Sequence, residues 1–140
     1  MSTISVRTHF AAGHRILGLV GAGAKCRNIH GHTFHVTWTF EQSKDNFSLE
    51  FGTLKQALRG VIKDNFDHSF IVDQDDPFSE YLRLESLKHY VLAGKPTTEA
   101  IAEEIANLSA ASLKAVTKHV VMRRVALEEG PNNVATWEDD

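Results

Sequence analysis

Cysteine is nearly absent from this chain. Cys26 stands alone, so no internal disulfide can form and nothing demands an oxidising compartment. Proline is scarce as well, with 3 in 140 residues, and no internal repeat or Gly/Ser linker divides the sequence. One domain spanning residues 1–140 is the expectation. No run approaches the ~20 apolar residues of a membrane-spanning helix. The opening MSTISVRTHF lacks a basic segment followed by an apolar stretch, so a cytoplasmic location is expected and a membrane partner is not. A basic excess is missing too: 15 Lys and Arg face 18 Asp and Glu, a net charge of -3, which disfavours nucleic acid as a partner. With 42% hydrophobic and 24% charged residues, the composition is that of a globular protein. The chain is rich in histidine, with 8 in all, and those at positions 9, 14, 30, 32 and 35 fall in its first quarter.

Two strands can be read near the N-terminus. Ile4, Val6, Phe10 and Ala12 alternate with Ser5, Arg7 and His9. From Thr33 to Phe40, Phe34, Val36, Trp38 and Phe40 share one face, with Thr33, His35, Thr37 and Thr39 on the other. After a polar turn at Ser43 to Asn46, the spacing of Phe51, Leu54, Leu58 and Val61 predicts one apolar stripe of a helix. A second helix starts at Pro96, Thr97, Thr98 and Glu99, with a threonine hydroxyl as cap, and buries Ile101, Ile105 and Leu108. Asp75, Asp76 and Pro77 open a shorter one carrying Phe78, Leu82 and Leu87. His119 to Glu129, the turn residues Gly130 to Asn133, and Val134 to Trp137 read as a closing hairpin. This order of elements predicts an α+β domain with helices on one face of an antiparallel sheet. The open edges of so small a sheet call for another subunit to cover them.

His30 and His32, separated only by Gly31, project to one side of an extended backbone. His14 shares the parity of the buried face of the first strand, so three imidazoles can converge. Three neutral imidazoles suit Zn2+ and leave a position open for water or substrate. HxH by itself is also common as a hydrogen-bonded packing pair, and His9, His35, His89 and His119 read as structural or solvent-facing residues.

The runs Phe10-Ala-Ala-Gly-His14-Arg15 and Lys25-Cys26-Arg27-Asn28-Ile29-His30-Gly31-His32 resemble the 6-pyruvoyl-tetrahydropterin synthase superfamily. Phe51-Gly-Thr-Leu-Lys55, Asp67-His68, Pro96-Thr-Thr-Glu99 and Glu129 extend the likeness over nearly the whole chain. The three residues between Cys26 and His30 are similar to the 6-carboxytetrahydropterin synthase branch, where animal pyruvoyl enzymes have five. The resemblance implies the tunnelling fold (T-fold), with an antiparallel sheet and two helices packed on one face. Trimers would close into barrels and pair into a homohexamer with sites between subunits. It also implies Zn2+ held by His14, His30 and His32, a catalytic set of Cys26, Asp67 and His68, and a pterin ring bound by Glu129 with Thr97 and Thr98.

The chemistry of these roles is coherent. The implied substrate is 7,8-dihydroneopterin triphosphate, whose side-chain hydroxyls a bound Zn2+ would acidify. Cys26 would move a proton near C1′, its thiolate favoured by Lys25, Arg27 and the cation. His68 would shuttle a proton, oriented by Asp67. Glu129 rather than Glu128 is expected to hold the pterin, because Val125, Leu127 and Glu129 share a strand face as in the family's VxVxE, with Trp137 following as the usual aromatic. The expected activity is 6-carboxytetrahydropterin synthesis in 7-deazaguanine (queuosine-type) production. A pyruvoyl product, a zinc hydrolase, or a non-catalytic zinc- or pterin-binding protein closed by three histidines and Cys26 are the alternatives. Glu50, where the family has aspartate, and the long segment 72–94 depart from the family pattern. Arg15 and Lys25 read as phosphate contacts or surface charges.

Overall fold

The computed structural model describes residues 2–42, 51–116 and 120–140. Glu50, His119 and the turn at Ser43 to Asn46 lie outside them. In chain order the elements are β1 (Ser2–His14), a 3-10 helix (Gly21–Arg27), β2 (His30–Gln42), α1 (Phe51–Asn65), β3 (Ser69–Asp73), α2 (Phe78–Leu84), β4 (His89–Leu92), α3 (Thr98–Lys114), β5 (Val120–Gly130) and β6 (Asn133–Glu138). The strands form one sheet in the order β4-β3-β1-β2-β5-β6.

The α+β architecture matches the sequence reading, but the sheet is mixed rather than wholly antiparallel. β1, β2, β5 and β6 pair antiparallel, whereas β3 joins β1 and β4 joins β3 in parallel. Parallel neighbours need a long crossover, and α2 with its flanking turns provides it between β3 and β4. This crossover occupies most of the long segment 72–94. The helix there begins after Pro77 as expected and buries Leu82, while Leu87 lies exposed beyond its end. SFIVD and HYVL are too short to display a period, which is why the sequence did not mark them as strands.

The core lies between the β1–β2–β5 face and the helices. Phe34, Val36, Trp38 and Phe40 are all fully buried on one side of β2, as their alternation requires. Leu54 and Leu58 of α1, Ile101 and Ile105 of α3, and Val125 and Leu127 of β5 meet them there. Burial of each such side chain is worth about 2 kcal/mol. Phe51, placed in the α1 stripe by its spacing, is exposed; the buried stripe starts at Leu54. One buried polar contact fixes α3 on the sheet: Trp38 Nε1 donates to Ser109 Oγ at 2.9 Å.

Two local features set up the site. β1 and β2 run in register from Ser2 and Gln42 to His14 and His30, so their histidines finish side by side. Gly13 directly precedes His14, and a Cβ there would meet the Phe70 ring at 2.9 Å, so a larger residue would have to displace that ring of β3.

Candidate functional site

His14 is buried at the end of β1, opposite His30, while Ala12 pairs with His32. The His14 ring centroid is 4.6 Å from that of His30 and 5.1 Å from that of His32, and the latter two are 4.9 Å apart. The fourth member arrives from β5. Glu129 shares the face of Val125 and Leu127, and the β5–β6 register shifts between Glu128 and Gly130. Such an irregularity re-aims a side chain, here toward the histidines. One ligand atom from each of His14, His30, His32 and Glu129 lies within 4.8 Å of the others.

The hydrogen bonds around the cluster leave its nitrogens available. His14 Nδ1 donates to the Pro96 carbonyl at 2.8 Å, and His30 Nδ1 donates to the Asn28 carbonyl at 2.7 Å. A carbonyl oxygen only accepts, so both rings carry a proton on Nδ1, and Nε2 is the nitrogen of each that is left to bind a metal. His14 Nε2 is buried with no hydrogen-bond partner. His32 Nε2 lies 2.9 Å from Glu129 Oε1, within ion-pair distance but outside hydrogen-bonding geometry. An orphaned buried acceptor costs about 1–3 kcal/mol, and a cation in this position would remove that cost. Burial, aided by the neighbouring histidines, pushes the His14 pKa below its ordinary value; burial and His30 do the same to His32. Both are therefore held in the neutral form that binds metal. This donor set fits a borderline-soft divalent cation such as Zn2+.

The other expected site residues fall into two groups. Thr97 caps α3, its hydroxyl accepting from the Ala100 N–H at 3.1 Å, and Thr98 Oγ1 donates to Glu129 Oε2. Thr98 and Glu129 share a cavity of about 280 Å3 with Asn132 and Asn133, so Glu129 borders both the histidines and an open recess. Cys26, half-buried in the 3-10 helix, does not join the cluster; Glu129 takes the fourth place that the closed-site alternative gave to the cysteine.

Asp67 and His68 also stand apart. Asp67 Oδ1 accepts the Ala11 N–H at 3.1 Å and the His68 N–H donates to the Ala11 carbonyl at 2.7 Å, so the pair occupies both backbone groups of Ala11 just before β3 joins the sheet. His68 adopts a φ of +59°, a left-handed conformation rare outside glycine. Its Nδ1 lies 3.1 Å from Asp67 Oδ2, and its side chain is 81% exposed. Burial raises the Asp67 pKa, but the Ala11 N–H, His68 and Lys88 outweigh it and hold the carboxyl below its ordinary value. Three residues of strand separate Ala11 from His14, about 10 Å, and neither Asp67 nor His68 belongs to the four-membered cluster, although His68 lines with His32 a shallow cavity of about 510 Å3.

Arg15 is committed to structure. It forms a two-pronged pair with buried Asp76 at 2.7 and 2.5 Å and lies over the Phe78 ring. Lys25 is exposed beside Cys26. The supporting groups that sequence reasoning missed are the Pro96 and Asn28 carbonyls. Backbone acceptors carry no residue signature, and only the position of Pro96 beside the Thr97 cap hinted at one of them.

Comparison with known proteins gives the family of the chain and the likeness of its fold. Residues 3–140 match the model of the family described as 6-pyruvoyl tetrahydropterin synthase. A 6-carboxy-5,6,7,8-tetrahydropterin synthase of Rickettsia felis is 33% identical over 106 residues, covering 72% of this chain and 75% of its own. The Rickettsia conorii protein of the same name is 30% identical over 131 residues, covering 90% and 92%. The fold is similar to that of Plasmodium falciparum 6-pyruvoyl tetrahydropterin synthase, with a TM-score of 0.69 at 19% identity over 99% of this chain and 97% of that one.

Proposed function

The chain belongs to the 6-pyruvoyl tetrahydropterin synthase family, and from that premise we propose that it is a Zn2+-dependent 6-carboxy-5,6,7,8-tetrahydropterin synthase. It takes 7,8-dihydroneopterin triphosphate and one water to 6-carboxytetrahydropterin, acetaldehyde and triphosphate, a step toward 7-deazaguanine nucleosides of the queuosine type in the cytoplasm. The observation that carries this reading is the convergence of His14, His30 and His32 beside Glu129, with a buried His14 Nε2 that nothing in the chain satisfies.

His14, His30 and His32 hold the Zn2+, and when bound it supplies an electrophile for the hydroxyls of the substrate side chain. Glu129, positioned by Thr98, accepts the 2-amino and ring N–H groups of the pterin. Thr97 holds the start of α3 in place beneath that contact. Cys26 moves the proton at C1′, and His68, oriented by Asp67, handles the proton on the other side of the substrate.

Asp67 and His68 act in the site of a neighbouring subunit. The edge of β1 before Ala12 is unpaired by β3, and β6 ends the sheet on its other side. A partner's edge strand can join each, in a single-domain protomer of a homohexamer built from two trimers. Incubating the purified, zinc-loaded protein with 7,8-dihydroneopterin triphosphate and analysing the products by mass spectrometry tests the activity. 6-Carboxytetrahydropterin with acetaldehyde is expected; 6-pyruvoyltetrahydropterin alone would reject the carboxy assignment.

One observation favours a second reading. Glu129 lies close enough to the histidines to complete a tetrahedral set, which would make the site a closed structural zinc centre without turnover. Zinc-dependent folding with no pterin chemistry would select it.

A further inference from the structure

Lys88 lies between α2 and β4, in the segment 72–94 that departs from the family pattern. Its Nζ donates to the carbonyls of Lys63 and Asp67, each at 2.6 Å. The Lys63 carbonyl belongs to the last turn of α1, where backbone acceptors lack helical partners and the helix dipole presents its negative end. A cation is favoured there, and a helix cap needs no more. The second bond goes beyond the helix, to the carbonyl of the peptide that joins Asp67 to His68. The Lys88 carbonyl in turn accepts the Phe70 N–H at 3.1 Å, so the lysine grips both ends of the turn that carries His68.

We propose that Lys88 is a positioning residue, which clamps the Asp67–His68 peptide and so sets the His68 imidazole for proton transfer. The role rests on the proposed pterin activity, in which His68 handles a proton. At a φ of +59°, His68 holds a conformation that a residue other than glycine keeps only where its surroundings enforce it. The Ala11 main chain enforces it from the sheet side, and the Lys88 ammonium enforces it from 21 residues further along the chain. A lysine left in water would keep its rotamer freedom, yet this one is fixed on two main-chain acceptors. Burial opposes the ionisation of Asp67, and Lys88 joins the Ala11 N–H and His68 in overcoming it, which keeps the carboxylate that orients His68 charged. Lys88 belongs to the same chain as the pair, so it acts with them in the neighbouring subunit's site.

K88M keeps the apolar stem of the side chain and removes its ammonium. In the full-length, zinc-loaded protein it is expected to lower kcat for 7,8-dihydroneopterin triphosphate about 10- to 100-fold, with KM and zinc content within about twofold of the wild type. K88R can still donate to both carbonyls and should recover most of the loss. Hydrogen exchange followed by mass spectrometry gives a readout independent of activity. K88M should speed exchange about tenfold or more in the segment 66–70 while leaving β2 and β5 as they are in the wild type. A lysine with a merely structural role would instead quicken exchange throughout the sheet or move KM together with kcat. Either result overturns the proposal, as does a K88M enzyme with the wild-type kcat. If the wild type turns over no pterin triphosphate, the pterin reading fails and the exchange data decide alone. Loosening confined to 66–70 then supports the clamp on the Asp67–His68 pair, and unchanged exchange there removes it.

Discussion

His14 Nδ1 lies 2.8 Å from the carbonyl oxygen of Pro96, 82 residues further along the chain. That bond fixes the ring's tautomer and aims a bare Nε2 at His30, His32 and Glu129. Outer-shell bonds of this kind support metal affinity by holding the ligand in orientation. Purified wild-type protein is expected to carry about one zinc per chain by plasma mass spectrometry, and H14A or H32A to lose most of it. Chelation should lower the wild-type Tm, because the metal binds the folded chain preferentially. A full complement of zinc in the H14A/H30A/H32A triple variant would sink the assignment.

Glu129 is the residue on which the open and closed sites disagree. If it grips the pterin, E129Q keeps its zinc and loses pterin affinity by about tenfold or more, since charge-assisted bonds are replaced by neutral ones. If it is a fourth ligand, E129Q sheds metal instead. Zinc content and pterin binding measured on the same sample separate the two.

Cys26 stands outside the four-membered cluster, so C26A should leave the zinc content intact while abolishing turnover. His68 lies beside Ala11, about 10 Å of strand from His14. If sites are shared, mixing unfolded C26A and H68A chains and refolding them together should restore part of the activity that neither variant has. Some assembled sites would then draw Cys26 from one chain and His68 from another. No recovery in the mixture, with both variants folded, would place both residues in one chain's site.

Much of this was legible in the sequence because it depends on parity. Phe34, Val36, Trp38 and Phe40 declare β2, and the same two-residue period carries His14, His30, His32 and Glu129 to one face. The parallel strands β3 and β4 were not legible, since SFIVD and HYVL give no period and owe their pairing to the α2 crossover. Nor were the Pro96 and Asn28 carbonyls, which any residue type could supply. The distance of Asp67 and His68 from the histidines follows from where the turn into β3 docks against Ala11, a tertiary fact with no local signature.

Arg15, a candidate phosphate contact by sequence, should behave as a structural residue. It holds Asp76 with two bonds while Asp76 Oδ1 also accepts the Phe78 N–H at 2.9 Å, fixing the first turn of α2. Arg15 holds the Asp76 carboxyl below its ordinary value. A depressed folded-state pKa contributes stability that is complete above the unfolded value of about 4 and is lost as pH falls through the lower folded value. R15M keeps the apolar stem but strands a buried carboxylate, so it is expected to cost about 2–3 kcal/mol at pH 7. The deficit should shrink at pH 3, below the unfolded value of about 4, where the stability that the depressed carboxyl contributes is being lost. Guanidinium unfolding followed by Trp38 fluorescence at the two pH values measures it. A deficit of equal size at pH 3 would mean that packing of Arg15 on Phe78, rather than the ion pair, holds α2 against β1.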